Sequence, residues 1–301
     1  MRGLAPESAP EVHPMTLSAG AQRQMGILLS QQPEAGPWLG VLAVTLQECA
    51  DPTWDETATA AILAAENAPD APLLAGGRIA VDPALAERWM RRLLVLAGEA
   101  GAEGFPLRVA ASSGSLDPSM LIEAAINADA DRLDAMARSL DLDPDALSAI
   151  ASLATMPLLH ALRRRFASAV APQWSAGICP ICGGWPLLAE QRGLERARRL
   201  RCGRCASDWA QPGIRCPYCG VTGHEARTAL VSEQDGEARK VETCAACLGY
   251  LKSVSTLRAW AGDEVALADL ATVDLDLVAL EREFTRPEPR MLVPGVRVIG
   301  R

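Results

Sequence analysis

The sequence predicts a helical N-terminal domain, then two small β modules with four cysteines each, and a C-terminal helix. Three observations predict this fold class. Apolar residues recur at three-and-four spacing through the first half of the chain, as on the buried face of helices. Eight of the nine cysteines then fall between residues 179 and 247, among many glycines and prolines. Helical spacing returns after residue 260.

The helical domain is predicted over residues 1–172, with helix starts marked by Asp-Pro dipeptides. An Asp side chain can accept a hydrogen bond from a free amide of the first turn, and Pro at the first helical position loses only an unpaired donor. The four dipeptides are Asp51-Pro52, Asp82-Pro83, Asp117-Pro118 and Asp143-Pro144. Pro157 lies within the last helical stretch, where we expect a kink or a break.

Four CxxC knuckles carry the chemistry of the next segment. They are Cys179-Pro-Ile-Cys182, Cys202-Gly-Arg-Cys205, Cys216-Pro-Tyr-Cys219 and Cys244-Ala-Ala-Cys247. Two CxxC turns that converge on one ion supply a tetrahedral shell of four sulfurs. The chain between knuckles is long enough for a hairpin, so we predict two zinc-ribbon-like modules, at 173–211 and 212–260.

The pairing of the knuckles follows from a repeated pattern. The first and third share the form CPxCG, which indicates a duplicated module and favours pairing in chain order. Gly183 and Gly220 can adopt positive φ and let backbone amides turn toward the sulfurs. A cross-braced arrangement, first with third and second with fourth, stays open because spacing alone does not fix connectivity.

The composition and the N-terminal sequence indicate in which compartment the cysteines would lie. The chain has 301 residues and a net charge of −8, and its N-terminus, Met1 to Pro14, has no apolar signal region. The apolar run from Trp38 to Leu46 is too short to span a bilayer. We therefore predict a cytoplasmic protein without a membrane segment, in which disulfides are disfavoured. A redox dithiol and purely structural metal sites remain alternatives.

No enzymatic site is predicted, because both sites already supply four ligands and the chain shows no nucleophile triad, phosphate-binding glycine loop or paired acid/base carboxylates. Six arginines near the second knuckle are expected to offset thiolate charge or meet an acidic partner, since the acidic chain does not favour nucleic-acid binding. They are Arg192, Arg196, Arg198, Arg199, Arg201 and Arg204. A zinc-ribbon nucleic-acid module remains an alternative.

Single residues are given modest roles. We expect His160 in a core or capping position and His224 at the surface or beside the ligands. Cys49 is expected as a small buried apolar residue, and Trp185 and Trp209 as shields for the first site.

The last segment, 261–301, is predicted as an acidic helix and a tail. The helical stripe comprises Ala266, Leu270, Val273, Leu277 and Leu280. From Arg286 onward the tail is expected to be extended or mobile.

These motifs, in this order, resemble the FdhE family of formate dehydrogenase accessory proteins. The resemblance runs from Trp174 through the knuckles and Cys244-Ala-Ala-Cys-Leu-Gly-Tyr-Leu-Lys252 to Asp269-Leu-Ala271 and Leu275-Asp-Leu277. It implies a cytoplasmic, non-enzymatic assembly factor that binds the catalytic subunit of formate dehydrogenase before export. It also implies rubredoxin-like sites with two iron ions at the eight knuckle cysteines, with zinc as the alternative metal. A rubredoxin-type electron carrier is a further alternative, and the oligomeric state is not predicted.

Overall fold

The structure, a computed structural model, describes residues 17–64, 70–101, 104–232, 236–287 and 295–300. Its α-helices are α1 (Ala19–Gln31), α2 (Gly36–Glu48), α3 (Thr53–Thr59), α4 (Pro83–Ala100), α5 (Gly104–Ser113), α6 (Pro118–Ile126), α7 (Ala130–Ser139), α8 (Pro144–Phe166), α9 (Glu264–Leu270) and α10 (Val273–Glu281). Its strands are β1 (Arg78–Val81), β2 (Pro186–Arg192), β3 (Ala197–Cys202), β4 (Asp208–Ala210), β5 (Arg227–Ser232), β6 (Gly236–Cys244), β7 (Tyr250–Thr256) and β8 (Arg297–Gly300). The predictions for Met1–Pro14 and for part of the tail lie outside the described residues.

All four Asp-Pro dipeptides begin helices, as predicted. The carboxylates of Asp82, Asp117 and Asp143 accept hydrogen bonds from backbone N–H groups in the first turns of α4, α6 and α8. Asp51 does the same for Thr53, the first residue of α3. Each cap satisfies an amide that has no partner within its helix.

Helix α8 forms the centre of the helical part. It is buried along most of its length and runs through Pro157 without a break, although a break was one predicted outcome. Close packing on several sides stabilises the helix where proline removes a hydrogen bond. Among the described residues, the segment Pro144–Ala169 is long and apolar enough to cross a bilayer, and 67% of its most apolar window is buried in the fold. That burial is typical of a core helix.

One short strand interrupts the helical part, which the periodicity did not predict. β1 pairs in parallel with β8, from the far end of the chain. The side chain of Asn127, at the end of α6, donates to the carbonyl of Val296 and accepts from its N–H. The end of the tail is therefore extended and docked on the helices.

The two cysteine modules share one six-stranded sheet with the order β4-β3-β2-β7-β6-β5. Each module contributes three antiparallel strands, and β2 joins β7 in parallel. The order β4-β3-β2 repeats as β7-β6-β5, which is the relation expected of a duplicated unit. The predicted fold class is confirmed, with the two modules fused edge to edge. The domain boundaries at 172, 211 and 260 stay predictions.

The C-terminal helix divides into α9 and α10 at Ala271–Thr272. This turn changes the phase of the helical pattern, so part of the predicted stripe is wrong. Val273, Leu277 and Leu280 are exposed, whereas Leu275 and Ala279 pack against the sheet. The apolar spacing was counted straight through the turn at Ala271–Thr272, so it indicated the wrong buried face for α10.

Candidate metal centres

The eight knuckle cysteines gather into two groups of four. The inner site comprises Cys179, Cys182, Cys202 and Cys205, and the outer site comprises Cys216, Cys219, Cys244 and Cys247. Within each group the sulfur atoms all lie within 4.8 Å of one another. Knuckles therefore pair in chain order, and the cross-braced alternative is wrong.

The sulfur positions fit a tetrahedral metal ion. In the inner site the Sγ atoms of Cys179 and Cys205 are 3.5 Å apart, and those of Cys216 and Cys247 in the outer site are 3.7 Å apart. A tetrahedron with metal–sulfur bonds of about 2.3 Å has edges of about 3.8 Å. A disulfide would require about 2.05 Å, and all nine cysteines are free thiols. Each group could hold one metal ion.

The four knuckles share one backbone conformation. In each, the N–H of the first cysteine donates to the carbonyl five residues later, at distances of 2.8 to 2.9 Å. The residue after each second cysteine has positive φ, and these residues are Gly183 (73°), Ala206 (56°), Gly220 (76°) and Leu248 (55°). The prediction of positive φ at Gly183 and Gly220 is confirmed. Ala206 and Leu248 adopt the same turn against the preference of L-residues.

Replacing Gly220 by Ala is expected to lower the free energy of unfolding by about 1 kcal/mol, because the new side chain must occupy a left-handed conformation. Its Cβ would meet no atom closer than 3.8 Å, so backbone strain is the whole effect. The matched control is Gly26→Ala in α1, where a Cβ meets nothing within 4 Å. That change should stabilise by about 0.5–1 kcal/mol, since Gly weakens a helix interior. Urea unfolding of both variants measures the two changes in the free energy of unfolding. Changes of the same sign would contradict the argument from backbone strain.

The inner site belongs to the main hydrophobic core. All four of its cysteines are fully buried and contact the cluster that includes α4 and α8. The loop before β1 covers the first knuckle, where the N–H groups of Leu73 and Leu74 donate to the carbonyls of Pro180 and Ile181. Arg204, within the second knuckle, donates to the carbonyls of Ala125 and Ile126 at the end of α6. The helical part therefore clamps both knuckles of the inner site.

The outer site lies at the surface. Cys216 and Cys244 are buried, whereas Cys219 and Cys247 are exposed. Tyr218, between the ligands of the third knuckle, donates to the carbonyl of Tyr250 and packs edge-on against Trp185 with ring centroids 5.4 Å apart. One side of the outer site thus rests on the first module, and the other faces solvent.

The thiols differ in their tendency to ionise. Burial raises the pKa of Cys179 and Cys205, whereas hydrogen bonds from the thiols of Cys179, Cys202 and Cys205 lower the pKa of Cys182. Burial alone would raise the pKa of Cys244, but N–H groups of Cys247 and Ala246 donate to its sulfur, and its pKa falls to about 7. Backbone N–H groups of Cys219 and Tyr218 likewise donate to the sulfur of Cys216, as the CPxCG form of the third knuckle predicts. Such contacts stabilise the thiolate form that binds metals.

Five of the six arginines pair with carboxylates of this chain, and the sixth lies beside the inner site. The pairs are Arg192 with Glu190 and Asp208, Arg196 with Glu237, Arg198 with Glu242, Arg199 with Asp208, and Arg201 with Glu190. Arg204 contributes to lowering the pKa of an inner-site thiol, that of Cys182. The carboxylates occupy the guanidinium groups that phosphates would need, which weakens the nucleic-acid alternative.

The remaining single residues match their modest expected roles. His160 is buried in α8, and burial together with Arg163 lowers its pKa to about 3, so it is a neutral core residue. His224 is exposed and Cys49 is buried away from both groups. The indole of Trp209 is buried and donates to the carbonyl of Ala176, beside the inner site.

Two buried charge clusters escaped the sequence reasoning. Lys252 on β7 is fully buried, and its amine contacts the carboxylates of Asp269 and Asp276 at 2.7 Å each. Arg286 pairs with the same two carboxylates, and the hydroxyl of Tyr250 donates to Asp276. One signal was present: Lys252, one of only two lysines in the chain, directly follows the apolar pair Tyr250-Leu251.

The second buried charge cluster surrounds Glu190 on β2. Its fully buried carboxylate accepts from Arg201, Arg192 and the N–H of Trp260. Arg201 also donates to the carbonyl of Trp260. The contacts tie the first module to the loop before α9. The polar residues of β2 and β3 follow no pattern that would have indicated that Glu190 and Arg201 point inward.

A cavity of about 690 Å³ separates the helical part from the two modules. Its walls include Asp134 and Asp145 on the helical side and Trp185, Tyr218 and Arg286 on the other. Gly184 and Arg204 beside the inner cysteines, Tyr218 of the third knuckle and Arg286 of the Lys252 cluster therefore line a common space.

With this geometry in place, the chain can be compared with known proteins. Residues 214–293 match the family model described as FdhE, C-terminal domain. This segment holds the outer site, α9, α10 and the Lys252 cluster. The chain resembles the FdhE family. The resemblance stated from the motifs is confirmed.

Curated FdhE relatives align over part of their length. An FdhE homolog of Stutzerimonas stutzeri is 35% identical over 122 residues, 39% of this chain and 39% of the relative. One from Pseudomonas aeruginosa is 35% identical over 136 residues, 42% of this chain and 43% of the relative. One from Aquifex aeolicus is 31% identical over 122 residues, 38% and 41% of the two chains. The alignments thus span about two fifths of the curated relatives.

The likeness in fold extends further than the likeness in sequence. The crystal structure of the FdhE protein from Pseudomonas aeruginosa superposes with a TM-score of 0.56 at 22% identity, over 92% of this chain and 97% of the other. FdhE architecture therefore includes the helical part, where the sequence carries no sharp motif.

Proposed function

We propose that this protein is a non-enzymatic accessory factor for the maturation of formate dehydrogenase, which binds the catalytic subunit in the cytoplasm before export. One observation carries the proposal. The segments that resemble FdhE, namely the knuckles, β7 with Lys252 and the acidic helices with Asp269 and Asp276, form one connected unit through the ion pairs described above. A shared arrangement of these parts supports a shared role.

The proposal includes two metal ions held by the eight knuckle cysteines. Iron is the metal that the family resemblance favours, and zinc is the alternative. Iron in a four-sulfur shell can change oxidation state, whereas zinc only stabilises the fold. Elemental analysis and an anaerobic absorption spectrum of natively purified protein distinguish them, because ferric four-sulfur centres absorb visible light. A colourless protein that contains zinc alone would contradict the iron assignment.

The docking face is proposed on α10. Leu277 and Leu280 are 57% and 52% exposed, and Val273 and Val278 on the same short helix are also exposed. Apolar side chains grouped on one surface element are typical of protein interaction sites. The carbonyl of Leu248, next to Cys247, accepts from the N–H of Thr285 shortly after α10, so the chain that leaves α10 contacts the outer site.

Co-purification with the formate dehydrogenase catalytic subunit tests the function and the face together. The double variant Leu277→Glu/Leu280→Glu should recover at least about tenfold less catalytic subunit than the wild type, because charged groups replace buried apolar contacts. Leu194→Glu is the control, since Leu194 is 95% exposed on the turn between β2 and β3. Circular dichroism should show all variants folded.

Two outcomes would contradict the proposal. If the intact protein does not associate with the catalytic subunit and deletion of its gene leaves formate dehydrogenase activity unchanged, the function is wrong. If the double variant binds as well as Leu194→Glu, only the docking face is wrong.

An electron carrier is the second candidate, and the exposure of Cys219 and Cys247 favours it because electrons reach a four-sulfur iron through exposed ligands. It requires reversible reduction of the iron-loaded protein and a redox partner. The buried inner site and the large helical part have no role in such a carrier.

A further inference from the structure

We propose that the two metal sites differ in lability, the outer site exchanging its metal and accepting an external ligand while the inner site keeps its metal for the life of the fold. The inference rests on the proposed occupancy of both sites by metal and is independent of the partner's identity. It assigns the outer site as the one through which metal enters, leaves or meets another molecule.

Equivalent cysteines in the two modules have opposite environments. The second cysteine of each knuckle is Cys182 or Cys205 in the inner site and Cys219 or Cys247 in the outer site. The inner pair is fully buried, and the outer pair is exposed. The two modules contain the same backbone turns, so the difference in cysteine exposure comes from the residues that pack against each turn.

The inner site is covered by elements remote in sequence. The loop at Leu73–Leu74 pairs with the first knuckle, and Arg204 anchors the second knuckle to the end of α6. Gly184 lies so close to Arg204 that an added Cβ would be 3.0 Å from its side chain. All four inner cysteines are fully buried beneath these contacts, so a ligand from solvent must displace part of this packing before it reaches their sulfurs.

The outer site lacks such a cover among the described residues. Its fourth knuckle is exposed from Ala245 to Leu248, and a Cβ added at Gly223, after the third knuckle, would meet no atom within 4 Å. The buried side is held by Tyr218 against Gly249, where an added Cβ would lie 2.8 Å from the ring. A ligand from solvent can therefore reach Cys219 and Cys247 without any change in the rest of the fold.

Ligand exchange at the outer site follows from this exposure. The metal–sulfur bond to Cys247 or Cys219 breaks as a bond forms to an external thiolate or nitrogen ligand, and the released thiolate takes a proton from water. No electron is transferred in this step. At the inner site the same exchange first requires opening of the core, whose free energy approaches that of global unfolding.

Zinc release from the full-length protein loaded with two zinc ions tests the inference, with 4-(2-pyridylazo)resorcinol as the chelating probe. One equivalent should be released at least about tenfold faster than the other, because only the inner site must wait for core opening. In a parallel arm, limiting N-ethylmaleimide followed by peptide mapping should label Cys219 and Cys247 before any inner cysteine.

Two variants assign the phases. Cys247→Ser should abolish the fast phase and leave the slow rate unchanged. Leu74→Ala, in the loop that covers the inner site, should accelerate only the slow phase. Release of both ions at one rate, or first labelling of an inner cysteine, overturns this inference alone and is measured on the wild type even if a variant fails to fold. A protein whose knuckle cysteines hold neither iron nor zinc overturns the inference together with the proposed metal occupancy, whereas the co-purification result bears on neither.

Discussion

Cys205→Ser is expected to remove the inner metal and to destabilise the protein by about 5 kcal/mol or more, which approaches the whole stability of an ordinary domain. The reason is the position of the inner site in the main core, where its four sulfurs contact residues of both the helices and the sheet. Structural zinc sites contribute apparent binding energies of about 10–16 kcal/mol to folding. Without the ion, buried thiols would remain with no partner to hold the two knuckles together.

The measurement is thermal and urea unfolding, together with metal content per chain. Cys49→Ser is the matched control because it makes the same chemical change at a buried cysteine outside both sites. It should retain two metal equivalents and lose about 1–3 kcal/mol, the cost of a buried hydroxyl without a partner. If Cys205→Ser keeps both metal equivalents and has the same unfolding temperature and urea midpoint as Cys49→Ser, the inner site does not stabilise the fold.

Lys252→Met is expected to lower the free energy of unfolding by about 3–5 kcal/mol, because it removes a fully buried cation and leaves one arginine to compensate two carboxylates. The amine of Lys252 bonds the carboxylates of Asp269 and Asp276 and the carbonyl of Thr272. Methionine keeps the length of the side chain and none of these bonds. Arg286 alone would then face both carboxylates.

The only other lysine provides the control. Lys240 pairs with Glu237, whose side chain is 63% exposed, so Lys240→Met should cost no more than about 1 kcal/mol. The shift of the urea unfolding midpoint, at an unchanged dependence of the unfolding free energy on urea, measures the stability change of both lysine variants. Adding Asp276→Asn to Lys252→Met should recover part of the loss, since it removes one unpaired charge. Equal midpoints for the two lysine variants would show that the cluster is not energetically important.

The sequence by itself determined the local features. CxxC spacing identified the eight cysteines. The repeated CPxCG form favoured pairing in chain order and predicted positive φ at Gly183 and Gly220. Asp-Pro dipeptides located four helix starts. These features depend on bond geometry and hydrogen bonds within a few residues, so a short stretch of sequence contains the physical causes.

Only the tertiary structure decided which site is buried. Cys205 and Cys247 occupy the same position in two similar turns, and nothing near them in sequence distinguishes their environments. The difference arises because Leu73–Leu74 and the end of α6 cover the knuckles of the first module, whereas Cys219 and Cys247 of the second module are exposed. The phase of α10 and the pairing of β1 with β8 were undetermined for the same reason. Burial, ion pairing and strand partners depend on contacts between segments far apart in the chain, which local pattern does not encode.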